Sequence, residues 1–189
     1  MAKPILKWAG GKRQLLGDIY ARFPADYRRY HEPFLGGGAV FFDLEPTGGT
    51  VNDTNPRLAT FYEVVRDRPD ALIERLRAFD DPDAGPDPDQ AFADGDWDGG
   101  EVEQYFYQQR ARFNRRPYGG GEWPATAAER LEEAALLLYL NRTCYNGLYR
   151  ENSSGGFNVP IGRYADPDWV QADRIRAAGR ALAETDVRN

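Results

Sequence analysis

The spacing of apolar residues divides the chain into an alternating helix and strand region followed by a mostly helical one. Leu15, Leu16, Ile19, Tyr20 and Phe23 recur at helical intervals and predict a helix over 12–23, stopped by Pro24. A short strand-like run at 30–34 closes on Gly36, Gly37 and Gly38, and a helix is expected at 39–44, ended by Pro46 and the Gly48-Gly49 turn. Residues 50–52 read as a second strand closed by Asp53. Asn55-Pro56 then opens a helix through Leu58, Phe61, Tyr62 and Val65, with proline where no N–H is needed. Strand, glycine loop, helix, strand, helix is how a nucleotide-binding α/β sheet begins.

Beyond this point the pattern changes. Leu72, Ile73 and Leu76 give 69–79 one apolar side, and 101–114 and 126–140 read as two further helices separated by Gly119, Gly120 and Gly121. Residues 80–100 are rich in Asp, Pro and Gly and read as an acidic surface loop or disordered insertion. The stretch 141–164 is irregular and dense in Asn, Gly, Arg and Tyr, and 167–182 reads as a final helix. Three regions result: 1–66 as the start of an α/β domain, 67–165 as a helical region carrying the insertion 80–100, and 166–189 as a helix leading back towards the α/β domain.

Composition narrows the class. With 41% hydrophobic and 13% aromatic residues the chain is an ordinary globular one. Its longest apolar run, 134–140, falls well short of the roughly 18 residues that span a bilayer. Lys7, Lys12 and Arg13 interrupt the apolar positions that a signal peptide needs. The expectation is a cytoplasmic protein without membrane contact. A lone Cys144 rules out an internal disulfide and an all-cysteine zinc site, and no metal site is expected. The net charge of -6 means that any DNA binding has to come from a local basic face. The abundance of aspartate fits adaptation to high salt and an ordinary acidic protein equally.

Four segments carry candidate chemistry. In Lys7-Trp8-Ala9-Gly10-Gly11-Lys12 the glycines allow close backbone approach, Lys12 offers a point charge for a carboxylate, and Trp8 offers a flat wall. A phosphate loop would need an upstream glycine and a Ser or Thr after the lysine, both missing; a plain helix start with a packed tryptophan is the structural alternative. In Glu32-Pro33-Phe34-Leu35-Gly36-Gly37-Gly38 an acidic strand end and a glycine turn make room for an adenosine-containing ligand. A dinucleotide fingerprint would want glycine where Phe41 stands. Asp53, ending Val51-Asn52-Asp53, suits ribose hydroxyls and equally suits a helix cap. The fourth runs from Asn141-Arg142-Thr143-Cys144-Tyr145-Asn146-Gly147-Leu148-Tyr149-Arg150 to Gly156-Phe157-Asn158-Val159-Pro160-Ile161-Gly162-Arg163-Tyr164. Arginine and asparagine read base edges, and aromatics fill the gaps left by displaced bases.

Taken together, in this order and at this spacing, the four segments resemble the Dam-like, alpha-class, S-adenosylmethionine-dependent DNA N6-adenine methyltransferases. The resemblance covers nearly the whole chain. It implies an α/β fold: an incomplete Rossmann-like methyltransferase sheet with a mostly helical inserted DNA-recognition subdomain. It also implies that Trp8, Lys12 and Asp53 contact S-adenosylmethionine, with Glu32, Phe34 and Gly36 to Gly38 lining the same pocket. Double-stranded DNA is the implied partner. Tyr145 and Asn146 would enter the duplex near a flipped adenine, Arg150 would read a guanine, and Lys7, Arg142, Pro160 and Tyr164 would lie on the DNA face. A GATC-like target and a regulatory or restriction-modification role follow as expectations.

One feature of the resemblance is missing. Adenine N6 is a poor nucleophile, and the family resolves this with an Asp-Pro-Pro-Tyr loop that accepts the amino hydrogens and stacks on the extruded base. The tetrapeptide does not occur here, where Asp81-Pro82, Asp87-Pro88 and Asp166-Pro167 come nearest. No catalytic residue is therefore assigned. The expectation is a truncated or split portion of such an enzyme, unstable or oligomeric unless a complementary C-terminal fragment covers its sheet edge. The alternative is a catalytically inactive DNA-binding module derived from one.

Overall fold

The computed structural model describes residues 2–80, 100–115 and 126–189. The acidic insertion 80–100 and the Gly119–Gly121 loop fall almost wholly outside the described residues. Among the described residues three parallel strands form the sheet, in the order β1 (His31–Glu32), β2 (Gly49–Asn52) and β3 (Thr185–Arg188). Glu32 pairs with Val51, and β2 runs beside β3 from Gly49 opposite Thr185 to Asn52 opposite Arg188. The helix α2 (Ala39–Leu44) makes the crossover from β1 to β2, and the whole helical region intervenes between β2 and β3.

Local chemistry explains where the elements differ from the apolar pattern. β1 stops at Glu32, short of the expected 30–34, because Pro33 has no N–H for the ladder. The expected helix 12–23 is a single tight turn over Lys12–Leu15 followed by α1 (Leu16–Tyr20), and none of its residues is buried, so little burial energy supports a longer helix. The last helix, α7 (Ala172–Leu182), starts five residues later than 167. Trp169 instead docks its indole N–H on the Leu76 carbonyl at 3.2 Å and its ring on Tyr139, and Asp168 accepts the Gln171 N–H. β3, absent from the sequence reading, alternates buried Thr185 and Val187 with exposed Asp186 and Arg188.

The remaining helices match the apolar pattern closely. α3 (Pro56–Asp67) is capped by the Asn55 side chain, which accepts the Arg57 N–H at 2.9 Å, and is buried on nearly every side. α4 (Pro69–Arg77) buries Leu72, Ile73 and Leu76. α5 (Glu101–Asn114) and α6 (Ala127–Thr143) follow, the latter opened by a reciprocal Thr126–Glu129 capping box. One continuous cluster of buried side chains runs from Val51 and Val187 in the sheet through Phe61 and Leu72 to Leu138, Phe106 and Phe157. The sheet and the helical region thus share a core. Among the described residues no helix is long and apolar enough to cross a membrane.

Candidate functional site

The loop after β1 carries the first group of candidates. The Leu35 N–H bonds the Asn52 carbonyl at 2.9 Å, and the Gly38 N–H bonds back to the Leu35 carbonyl at 2.9 Å, so the loop folds over the strand ends. Gly36 sits at φ 54°, and a Cβ there would lie 3.2 Å from Cδ1 of Trp8. Gly38 sits at φ 73°, and a Cβ would strike Phe42 at 2.5 Å. Both positions need glycine: for the left-handed backbone and for the ring packed against it.

Asp53 holds this turn from the end of β2. Its Oδ2 accepts the Gly36 N–H at 2.9 Å and its Oδ1 accepts the Asn55 N–H at 3.0 Å. The end of β3 braces the Asp53 backbone, because its N–H donates to the Arg188 carbonyl at 3.3 Å and the Asn189 side chain donates to its carbonyl at 2.8 Å. From below, the buried Tyr62 hydroxyl donates to the Gly36 carbonyl at 3.0 Å; burial raises its pKa well above the usual phenol value, which keeps it a donor. Across the same loop the Lys12 ammonium lies 3.0 Å from Glu32 Oε1 and also bonds the Phe34 carbonyl. Glu32 is buried and accepts the Tyr30 hydroxyl at 2.7 Å. The Phe34 ring is 69% exposed. Trp8, Lys12, Glu32, Phe34, Gly36, Gly38 and Asp53 are thus all gathered at one loop.

The second group gathers after α6. Tyr145, Asn146 and Gly147 form a tight turn with Asn146 at φ 55°, and the Tyr145 N–H donates to the Pro160 carbonyl at 2.9 Å. Tyr145 is 54% exposed and shares a hollow of about 400 Å³ with Asn146, Ile161, Arg163 and Tyr164. The Tyr164 hydroxyl donates to the Cys144 carbonyl at 3.2 Å, and the Lys7 ammonium sits 5.5 Å from the Tyr164 ring centre. Arg150 lies further along, on a small hairpin where Glu151 bridges Phe157; its Nε donates to Asn158 Oδ1 at 2.8 Å and leaves the rest of the guanidinium facing outward. Lys7, Tyr145, Asn146, Pro160 and Tyr164 therefore meet, whereas Arg150 stands apart on the hairpin.

Arg142 faces a different opening. It is half-buried, its Nε donates to the Asp168 carbonyl at 3.1 Å, and burial lowers its pKa from the usual arginine value. With Lys3, Lys7, Arg13 and Arg174 it lines a cleft of about 830 Å³ that also reaches Trp8. Asp43 is the single carboxylate on that lining among the described residues. On a chain of net charge -6 this is a local basic face. Sequence reasoning missed Tyr62, Asn141, Tyr149 and Arg174. The first three lay inside recognised segments as ordinary helix or loop residues, and Arg174 had no partner pattern to mark it.

The fold is mixed α/β, a small parallel sheet sharing one core with the helices. The sequence pattern of the D12 class N6 adenine-specific DNA methyltransferases matches residues 8–189, and the chain belongs to that family. It is 33% identical to the Type II methyltransferase M.MjaIII of Methanocaldococcus jannaschii, over 98% of this chain and 61% of that protein. It is 32% identical to the Type II methyltransferase M1.LlaDCHI of Lactococcus lactis subsp. cremoris, over 98% and 57%. With the DNA adenine methylase of Salmonella typhi the identity is 34%, over 95% and 54%. The chain spans about half to three-fifths of the length of these relatives.

Proposed function

We propose that this chain forms the cofactor-binding and DNA-reading part of a site-specific adenine methyltransferase that moves a methyl group from S-adenosylmethionine to adenine N6 in duplex DNA. The observation that carries the reading is the contact chain from Trp8 through Gly36 to Asp53 at the ends of parallel strands, where α/β sheets hold nucleosides. The donor set fits the cofactor. Each Asp53 oxygen accepts one backbone N–H and keeps a lone pair for a ribose hydroxyl. The Lys12 ammonium has three N–H donors; the Phe34 carbonyl engages one, with Glu32 in ion-pair range, which leaves a donor for the amino-acid carboxylate. The exposed Phe34 ring offers an apolar face to a flat base.

When bound, the cofactor supplies a sulfonium-activated methyl group. The chain's own residues bind, orient and read. Asp53 fixes the glycine turn, and Trp8 closes its side. On the DNA face Tyr145 and Asn146 project from a tight turn into the space an extruded adenine leaves, and Arg150 presents its free guanidinium edge to a neighbouring guanine. Lys7, Arg142 and the basic cleft take up backbone phosphates. Activating N6 draws on an Asp-Pro-Pro-Tyr loop outside these 189 residues, supplied by a complementary C-terminal segment, and the assembled enzyme works in the cytoplasm.

Binding and transfer assays test this directly. The chain is expected to bind S-adenosylmethionine and a GATC-containing duplex, and to transfer labelled methyl groups only when a family C-terminal segment bearing Asp-Pro-Pro-Tyr is added. Duplex binding without any cofactor binding would overturn the reading in favour of the inactive DNA-binding module.

A further inference from the structure

Asn141 has no part in the cofactor or base contacts proposed above, yet it is 1% exposed and fully engaged. Its side-chain oxygen accepts the Lys7 N–H at 2.9 Å. Its amide nitrogen donates to the Lys7 carbonyl at 2.8 Å and to the Gly147 carbonyl at 3.1 Å. Both amide hydrogens and one oxygen lone pair are therefore spent, two bonds on the segment that begins the chain and one on the turn that presents Asn146. No slack separates the two. A Cβ on Gly147 would lie 2.2 Å from Cδ of Lys7.

A second joint lies one step further on. The Tyr149 ring stacks on Trp8 with centroids 4.6 Å apart and planes 22° apart, and it also meets Phe157 at 5.7 Å. Its hydroxyl bonds Glu151 on the same hairpin. Trp8, whose ring lies against Gly36 of the glycine loop, is thus packed against the residue next to Arg150. Flat stacking transmits restraint, since a ring held on one face cannot tilt without moving its partner.

We infer that Asn141 and Tyr149 are positioning residues that clamp the cofactor segment 7–12 to the base-reading segment 145–150, so that cofactor at the glycine loop orders the base-reading turn before DNA arrives. The inference rests on the function proposed above. By linkage, DNA on the reading turn tightens cofactor binding by the same factor, and couplings of this kind run to about 5-fold or more.

Amide hydrogen exchange on the full chain, with and without S-adenosylhomocysteine, separates the two levels of the argument. Ligand is expected to slow exchange in peptides covering 8–12 and 34–38, and also across 145–150. In Tyr149→Leu the slowing at 8–12 and 34–38 persists while that at 145–150 falls by about 5-fold or more. Tyr149→Phe keeps the stack and restores it. Asn141→Asp, which retains volume and acceptor but loses both donors, is expected to raise basal exchange at 145–150; if that variant does not fold, the Tyr149 pair still decides. Absence of slowing anywhere in the parent would refute the proposed cofactor site and the clamp with it. Slowing at 8–12 and 34–38 with none at 145–150, or full slowing at 145–150 in Tyr149→Leu, would refute the clamp alone.

Discussion

Arg57 is fully enclosed at the start of α3, two residues after the Asn55 cap. Its Nη1 lies 2.8 Å from Glu133 Oε1, its guanidinium faces the Phe113 carbonyl at 3.3 to 3.4 Å, and its carbon lies 3.6 Å from the Phe113 ring centre. Glu133 is 3% exposed, so both charges sit in the core, where α3, α5 and α6 meet. Glu133→Gln keeps the shape and removes the negative charge, which deprives the interior guanidinium of the Glu133 carboxylate. Breaking one side of a buried pair costs about 3–5 kcal/mol. At about 2–4 °C per kcal/mol for a chain of this size, the variant should melt roughly 6–20 °C below the parent. Removing both charges, in Arg57→Met with Glu133→Leu, strands no charge and should recover most of that loss, because the desolvation penalty disappears together with the attraction. Thermal unfolding followed by circular dichroism reads both. A single variant that melts within about 2 °C of the parent, or a double variant no more stable than the single, would refute the reasoning.

Further consequences are smaller in scope. Gly38→Ala places a Cβ 2.5 Å from Phe42 at φ 73°; backbone strain alone costs roughly 1–3 kcal/mol, so a lower melting point and weaker cofactor binding are expected, and an unchanged calorimetric titration would count against the glycine turn. Burial pushes the Cys144 thiol up to about 11, whereas an unfolded thiol ionises near its ordinary value, so its stabilising contribution is complete below about pH 9 and is lost as pH rises through about 11. The buried hydroxyls of Tyr30, Tyr62 and Tyr149 are raised in the same direction, and melting should fall steeply in alkali; equal melting temperatures at about pH 8 and pH 10.5 would contradict this. Arg13→Ala or Arg174→Ala should each lower the slope of log affinity for duplex DNA against log salt by about 0.9, and an unaltered slope would remove that residue from the DNA path.

The parts legible from the sequence are those built from neighbours. The loop from Glu32 to Gly38, the Asn55-Pro56 helix start and the amphipathic 69–79 stretch each hold their signal within a dozen residues, and each is where the pattern placed it. The parts that escaped depend on distant positions. Asn141 meets Lys7 across 134 residues, and neither partner carries a local mark of the other. Glu133 stands at the head of the apolar run 134–140 and reads as a surface charge until Arg57 is found opposite it. β3 is four residues long with charges at alternate positions, too short to outweigh the preceding helical pattern, and it forms because β2 offers a partner edge. Trp169 delays α7 for the same reason: its destination, the Leu76 carbonyl, lies in another helix.

The most direct measurement of the central claim is a calorimetric titration of the chain with S-adenosylhomocysteine, beside Asp53→Ala and Lys12→Ala. One molecule bound per chain, with affinity lost by about tenfold or more in each variant through a missing charged hydrogen bond, is the predicted result. Undiminished affinity in both variants, or no heat of binding in the parent, would contradict it.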